Sequence, residues 1–144
     1  MKITDIRLGM LTIPLKTPFK TALRTVQQIE DVVVMIETDT GHTGYGEAPA
    51  TAVITGDIHG SIIDAINSVL KPKLIGQQIA DLNHIIRLIQ GAIMKNYSAK
   101  AAVEMAVYDL FAQLYKAPLY KILGGGVPKI TTDITISVDY IDKM

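Results

Sequence analysis

The chain of 144 residues contains no cysteine, so no disulfide can staple it and its stability has to come from a buried apolar core. It has no excess of either charge: 14 Lys and Arg offset 14 Asp and Glu. That balance removes the field that would draw in nucleic acid or an acidic membrane surface. No apolar run approaches the roughly 18 residues that a membrane-spanning helix needs. The opening residues, MKITDIRLG, alternate polar and apolar instead of forming the apolar block of a secretion signal. The expectation is a cytoplasmic protein with neither nucleic-acid nor membrane partners. Reactive clusters are missing too. His42, His59 and His84 are scattered, and none has a carboxylate or a second histidine at metal-ligand spacing. Gly124-Gly125-Gly126 lacks the Lys-Ser/Thr of a phosphate loop and reads as a helix stop. No Ser/His/Asp or Cys/His constellation can be assembled.

What is present is apolar. Hydrophobic residues make up 49 % of the chain and the mean hydropathy is +0.29. Either the core is very rich, or part of the surface faces a partner outside this sequence. A chain of this length buries about 68–70 % of its unfolded surface as one domain. Ile3, Ile6, Leu8 and Met10, then Leu11, Ile13 and Leu15, alternate with a phase change that predicts a strand bent at Met10–Leu11. Residues 16–29 show neither helical nor strand period and read as a long loop. Val32 to Ile36 is β-branched and apolar throughout, which predicts a central strand covered on both faces. Asp39-Thr40-Gly41-His42 is a turn signal, so Thr43 to Ala48 is the return strand of a hairpin.

Helices follow. Asp57 can cap one that ends at Pro72, and Asp81 can cap a second that frays near Gly91. Ser98 can cap the third and longest. There Ala99, Val103, Ala106, Val107, Leu110 and Leu114 form one stripe and Ala101, Met105, Tyr108 and Ala112 another, with Lys100 and Glu104 on a polar seam. Two apolar stripes make this helix the central post of the domain. Asp109, among large apolar positions, reads as an acid held by neighbouring backbone or a basic side chain. A short turn from Pro118 to Leu123 stops at Gly124, and Ile130 to Asp139 alternates as a lone strand with no nearby partner. The class is α+β: a three-stranded antiparallel sheet followed by a helical bundle.

The segments AVEMAVYDL and PLYKILGG resemble the N-terminal domain of the enolase superfamily, in its muconate-lactonising subgroup. PFKTALRT, GYGEAPAT with VITGD, NYSAKAAVEMAVYD and TDITISV, in that order, are similar to the dipeptide epimerases that act on L-Ala-D/L-Glu. The resemblance implies that residues 1–126 form a capping domain. Residues 127–144 would then begin a truncated C-terminal (β/α)7β barrel, with the lone strand as the first of a TIM-like barrel. The implied activity is epimerisation by α-proton abstraction through an enolate. Catalytic lysines and the acidic ligands of Mg²⁺ would all lie in barrel residues absent from this chain, which therefore supplies no catalytic residue and no metal ligand and is expected to be inactive alone. Other members of the subgroup, a muconate cycloisomerase or an o-succinylbenzoate synthase, use the same domain. A standalone, non-catalytic α+β binding domain is the third reading.

The resemblance implies that two loops, residues 19–25 and 51–57, close over the substrate. The segment 19–25 sets Arg24 among apolar residues, and a guanidinium suits a carboxylate because two N–H groups meet both oxygens. From the residues alone, a solvated surface arginine is the simpler reading. The resemblance implies instead that Arg24 pairs with the side-chain carboxylate of the dipeptide's Glu. By the same resemblance Phe19 and Ile54 form an apolar lid, and Thr135 contacts the dipeptide from the barrel side. The partners implied are an acidic dipeptide and the C-terminal barrel, in a homo-oligomer.

Overall fold

Three antiparallel strands lie in the order β1-β2-β3. They are β1 (Ile3–Lys20), β2 (Thr25–Thr38) and β3 (Thr43–Pro49); the structure, a computed structural model, describes residues 1–126 and 129–138. The β2–β3 hairpin forms where the turn residues place it. Gly41 takes φ +77°, which glycine adopts without a Cβ penalty. β2 is the middle strand, and Val32, Val34 and Ile36 are fully buried on one face together with Ile6 of β1 and Ala48 of β3. Val33 and Met35 on the other face are only half-buried. Helices therefore cover one face, and among the described residues the second layer that the β-branched run predicts does not bury the other. Such a run cannot distinguish a doubly covered strand from one half-buried on its second face.

β1 and β2 stay paired far beyond the end of β3. Leu11 faces Asp31, Ile13 faces Ile29, and after a register shift Phe19 faces Val26 and Lys20 faces Thr25. The predicted loop over residues 16–29 is thus a projecting two-stranded ribbon. Its only turn, 21–24, is closed by Thr21 N donating to Arg24 O at 2.8 Å. Pairing runs straight through Met10 and Leu11, where the sequence predicts a bend. The irregularities sit at Ile3/Asp5 and at Pro14/Phe19, the second because Pro14 and Pro18 have no N–H to give the ladder.

α1 (His59–Asp64) runs without a break into a π-helical turn (Ala65–Leu70) and then α2 (Lys71–Leu74). Pro72 does not stop it. The ring falls just after Lys71 N bonds Ile66 O, where the pattern returns from the wider π spacing to the α spacing. α3 (Leu82–Ala92), α4 (Tyr97–Leu114) and α5 (Leu119–Ile122) complete the layer. Asp81 stands at the N-cap of α3 as predicted, but its backbone carbonyl takes the first amides, from His84 and Ile85. Asp57 and Ser98 cap nothing. α1 follows Ile58 and α4 follows Asn96, while Ser98 Oγ donates to Asp57 Oδ2 at 2.5 Å.

α4 is the post of the domain. It packs on β2 and β3 and touches α1, α3 and α5. Ala99, Val103, Ala106, Val107 and Leu110 are buried as predicted. The second stripe is narrower than predicted, since Ala101 and Met105 are exposed. Lys100 is buried, not on a polar seam, and donates to Gln90 O at 3.0 Å. That carbonyl is in the last turn of α3, where unpaired oxygens and the helix dipole favour a cation.

The helix lies directly on β3. A Cβ on Gly46 would sit 1.9 Å from Ala102 O, and one on Gly44 2.2 Å from Ala106 O. Contact this close lets α4 seal the free edge of the sheet. Tyr45 N donates to Asp109 Oδ2 at 3.0 Å and Gln113 Nε2 donates to Thr43 O at 2.9 Å. Asp109 is thus held by backbone, one of the two partners the sequence left open.

Residues 129–138 form no strand, and Ile130, Ile134 and Ile136 are exposed. The predicted strand therefore has no sheet partner among the described residues. The segment meets the ribbon near its tip: Lys20 N donates to Ser137 Oγ at 2.7 Å and Val138 N to Lys20 O at 3.1 Å. Asp139 and the residues that follow, like 127 and 128 at the predicted domain boundary, lie outside the described residues.

Candidate functional site

The ribbon tip and the 51–57 loop leave the sheet at the same end, because β3 stops opposite Asp31 while the ribbon continues. Between them lies a cleft of about 550 Å³ whose lining includes Arg24, Gln28, Glu30, Asp31, Thr51 and His59. Arg24 is held at the backbone. The Thr21 hydroxyl accepts from Arg24 N and donates to Arg24 O, both at 3.2 Å, so the turn is clasped from inside. Arg24 is half-buried, and its guanidinium makes no ion pair or hydrogen bond among the described residues. A guanidinium without a partner is chemically able to bind an anion through charge-assisted hydrogen bonds.

His59 ties the root of the ribbon to the helical layer. Its Nε2 donates to Glu30 O at 2.9 Å, since a carbonyl oxygen can only accept, so that ring nitrogen carries a proton. Beside it, Glu47 of β3 and Asp31 of β2 form a carboxyl pair. Hydrogen bonding to Asp31, then burial, then repulsion from Asp31 push the Glu47 carboxyl above the usual range. A raised carboxyl pKa means that the folded chain holds the proton more tightly than the unfolded one. The pair's stabilisation is therefore complete below the unfolded value and is lost as pH rises through the raised folded value. Glu47→Gln should unfold later than the parent at neutral pH, by about 0.5 kcal/mol once screening of an exposed side chain is allowed for. The advantage should vanish below about pH 4. Thermal unfolding across pH tests this, and an advantage independent of pH would disprove the raised Glu47 carboxyl.

The cleft unites Arg24 with Thr51 at the root of the second loop, but it includes none of Phe19, Ile54 and Thr135. Phe19 is half-buried on β1 opposite Val26. Ile54 is 65 % exposed at the loop's crest. Thr135 is exposed on the segment tethered at Lys20. Sequence reasoning missed Glu30, Asp31 and His59; the only signal was two adjacent acids immediately before the apolar run of β2. Among the described residues no three or more His, Asp or Glu side chains are grouped to hold a metal ion, so the residues present do not fit Mg²⁺. Nor is any helix among them long and apolar enough to cross a membrane.

A family model described as the mandelate racemase / muconate lactonizing enzyme N-terminal domain matches residues 4–124. An L-Ala-D/L-Glu epimerase of Clostridium acetobutylicum is 51 % identical over 144 residues, covering 100 % of this chain and 40 % of the relative. A substrate-liganded structure of the L-Ala-D/L-Glu epimerase from Bacillus subtilis superposes with TM-score 0.83 at 52 % identity, over 85 % of this chain and 34 % of that one. The dipeptide epimerase of Enterococcus faecalis, solved with Mg and the dipeptide L-Leu-L-Tyr, superposes with TM-score 0.90 at 33 % identity, over 96 % and 39 %. The chain spans about two fifths of the length of the curated relative it matches.

Proposed function

The chain belongs to the mandelate racemase / muconate lactonizing enzyme family through that family's N-terminal domain, and on this premise we propose that it caps and selects substrate for a dipeptide epimerase of the L-Ala-D/L-Glu type. The observation that carries the reading is Arg24, half-buried beside a cleft, its guanidinium without a partner among the described residues. An acidic side chain of a bound dipeptide would complete it. Phe19 and Ile54 then shut out water from above, and Thr135 touches the dipeptide from below.

The reaction inverts a carbon next to a carbonyl: a base takes its proton on one face and an acid returns one on the other. Mg²⁺, which residues outside this chain would hold, would lower the cost of the negative charge that forms as the proton leaves. In this reading both the acid/base groups and the metal ligands belong to a barrel that begins at residue 127, and residues 1–126 bind, orient and enclose. The barrel also accounts for the exposed, alternating residues of 130–138, as its first strand. The test is to incubate the protein carrying this chain and a complete barrel with L-Ala-L-Glu and Mg²⁺ in deuterated water. Deuterium should enter the Glu α-position and L-Ala-D-Glu should accumulate, while residues 1–144 alone should give neither. No exchange in the complete protein, or exchange in residues 1–144 alone, overturns the proposal.

A further inference from the structure

We propose that the hydrogen bond between Ser98 and Asp57 is a latch that holds the 51–57 loop at the cleft, which makes both of them positioning residues for substrate selection; the substrate part rests on the function proposed above. The loop is a closed unit. Ile54 N and Thr55 N both donate to Thr51 O at 2.9 Å, and Gly56 N donates to Ala52 O at 3.1 Å. The Thr51 and Thr55 hydroxyls meet at 3.0 Å, so one helical turn is cross-tied within itself. Gly56, at φ +81°, then reverses the chain into Asp57. A single turn is marginal by itself, so its attachments decide both where it stands and how often its own bonds open. It presents Val53 and Ile54, both well exposed, at its crest.

One end of that turn is Thr51, in the wall of the Arg24 cleft, where β3 ends. The other end is Asp57. Between the loop and the start of α4 lies a second cleft, of about 430 Å³, lined by Thr55, Gly56, Lys95, Asn96 and Tyr97 among others. Ser98 Oγ donating to Asp57 Oδ2 at 2.5 Å bridges it, and among the described residues no other hydrogen bond joins the loop to α4. Short O–H···O⁻ bonds of this kind are the strong ones, and the first turn of an 18-residue helix favours a carboxylate beside it. α4 in turn lies close against β3 at Gly44 and Gly46, so the latch refers the loop to that helix–sheet contact.

Neither residue is needed by its own helix. Ser61 Oγ accepts from Ile58 N at 3.0 Å and donates to Ile58 O at 2.8 Å, which serves the start of α1. α4 starts from Asn96, two residues before Ser98, so Ser98 is not at its cap position. Removing the Ser98 hydroxyl should therefore release the loop and leave both helices in place.

The experiment compares Ser98→Ala, Ser98→Thr and Asp57→Ala with the parent in the complete protein. It measures amide exchange over residues 51–57 without substrate, then kcat and KM for L-Ala-L-Glu. Ser98→Ala and Asp57→Ala should speed exchange at Thr55 and Gly56 about tenfold. They should raise KM about fivefold with kcat nearly unchanged, and Ser98→Thr should restore both. Unchanged loop exchange overturns the latch, and so does a lowered melting temperature with KM unaltered, which would mark a bond of purely structural use. A parent without epimerase activity would sink the proposed function alone, because loop exchange needs no substrate and still decides the latch.

Discussion

Gly46→Ala is expected to lower the melting temperature by more than about 10 °C, the largest effect of any single methyl group in the chain, at ~3 °C per kcal/mol for a domain of this size. The added Cβ would lie 1.9 Å from Ala102 O and 2.9 Å from Ala102 C. Both are backbone atoms of α4, so no rotamer change can relieve the overlap. Either the helix lifts from β3 or the strand twists away. Either movement strains the bonds from Tyr45 N to Asp109 and from Gln113 to Thr43 O. Ordinary overpacking costs about 1–3 kcal/mol; here about 4 kcal/mol or more is expected, because the edge bonds weaken together with the packing. Ala102→Gly should not rescue the variant, since the obstacle is a carbonyl and not a methyl group. Gly91→Ala is the control. Nothing lies within 4 Å of its Cβ position in α3, so it should gain about 0.5–1 kcal/mol from helix propensity. Denaturant unfolding of the three variants checks all of this. A Gly46→Ala loss below about 1 kcal/mol would mean that α4 does not lie on β3 as described.

The same contact explains what the sequence revealed. α3 and α4 were legible because each has a core to face, and a buried face writes its period into the chain: Ile85 and Ile89 of α3 and Val103, Ala106, Val107 and Leu110 of α4 are all fully buried. The β2–β3 hairpin was legible from its turn chemistry. The ribbon was not, for the complementary reason. Beyond Leu11 and Asp31 no third strand pairs with it among the described residues, and α1 meets it at its root through His59, so its residues alternate in direction without alternating in burial. Lys16, Thr17, Pro18, Gln27 and Gln28 are all exposed. Hydrophobic periodicity reports burial on one face, and a strand with both faces in water leaves no such record. Caps failed differently. Asp57 and Ser98 each have the right chemistry to cap a neighbouring helix, but they are 41 residues apart and satisfy one another. A local rule cannot see a partner at that separation. The candidate site divides along the same line: Arg24 stood out as a cation among apolar neighbours, whereas Asp31 and His59 enter the cleft only through the β2 register and the start of α1.

Arg24→Met, made in the protein with its complete barrel, should lower kcat/KM for L-Ala-L-Glu by about 30- to 150-fold while changing it less than about threefold for a dipeptide of two apolar residues. That range corresponds to about 2–3 kcal/mol, the lower part of what loss of a desolvated charge pair costs, because Arg24 is half-buried and not enclosed. Met keeps much of the side chain's length and its apolar stem, so the comparison isolates the charge. Arg24→Lys should recover only part of the loss, since an ammonium is a point charge and cannot meet both carboxylate oxygens in the planar fork. Stability should not move by more than about 0.5 kcal/mol in either variant, as for surface substitutions that break no native contact. The guanidinium has no ion-pair or hydrogen-bond partner among the described residues to forfeit, and the turn that presents it is closed by Thr21 through backbone atoms that both substitutions keep. Equal losses for acidic and apolar dipeptides would mean that Arg24 shapes the ribbon tip without reading the substrate's charge, and the cleft would need another cation to select an acid. Among the described residues no other Lys or Arg lines it.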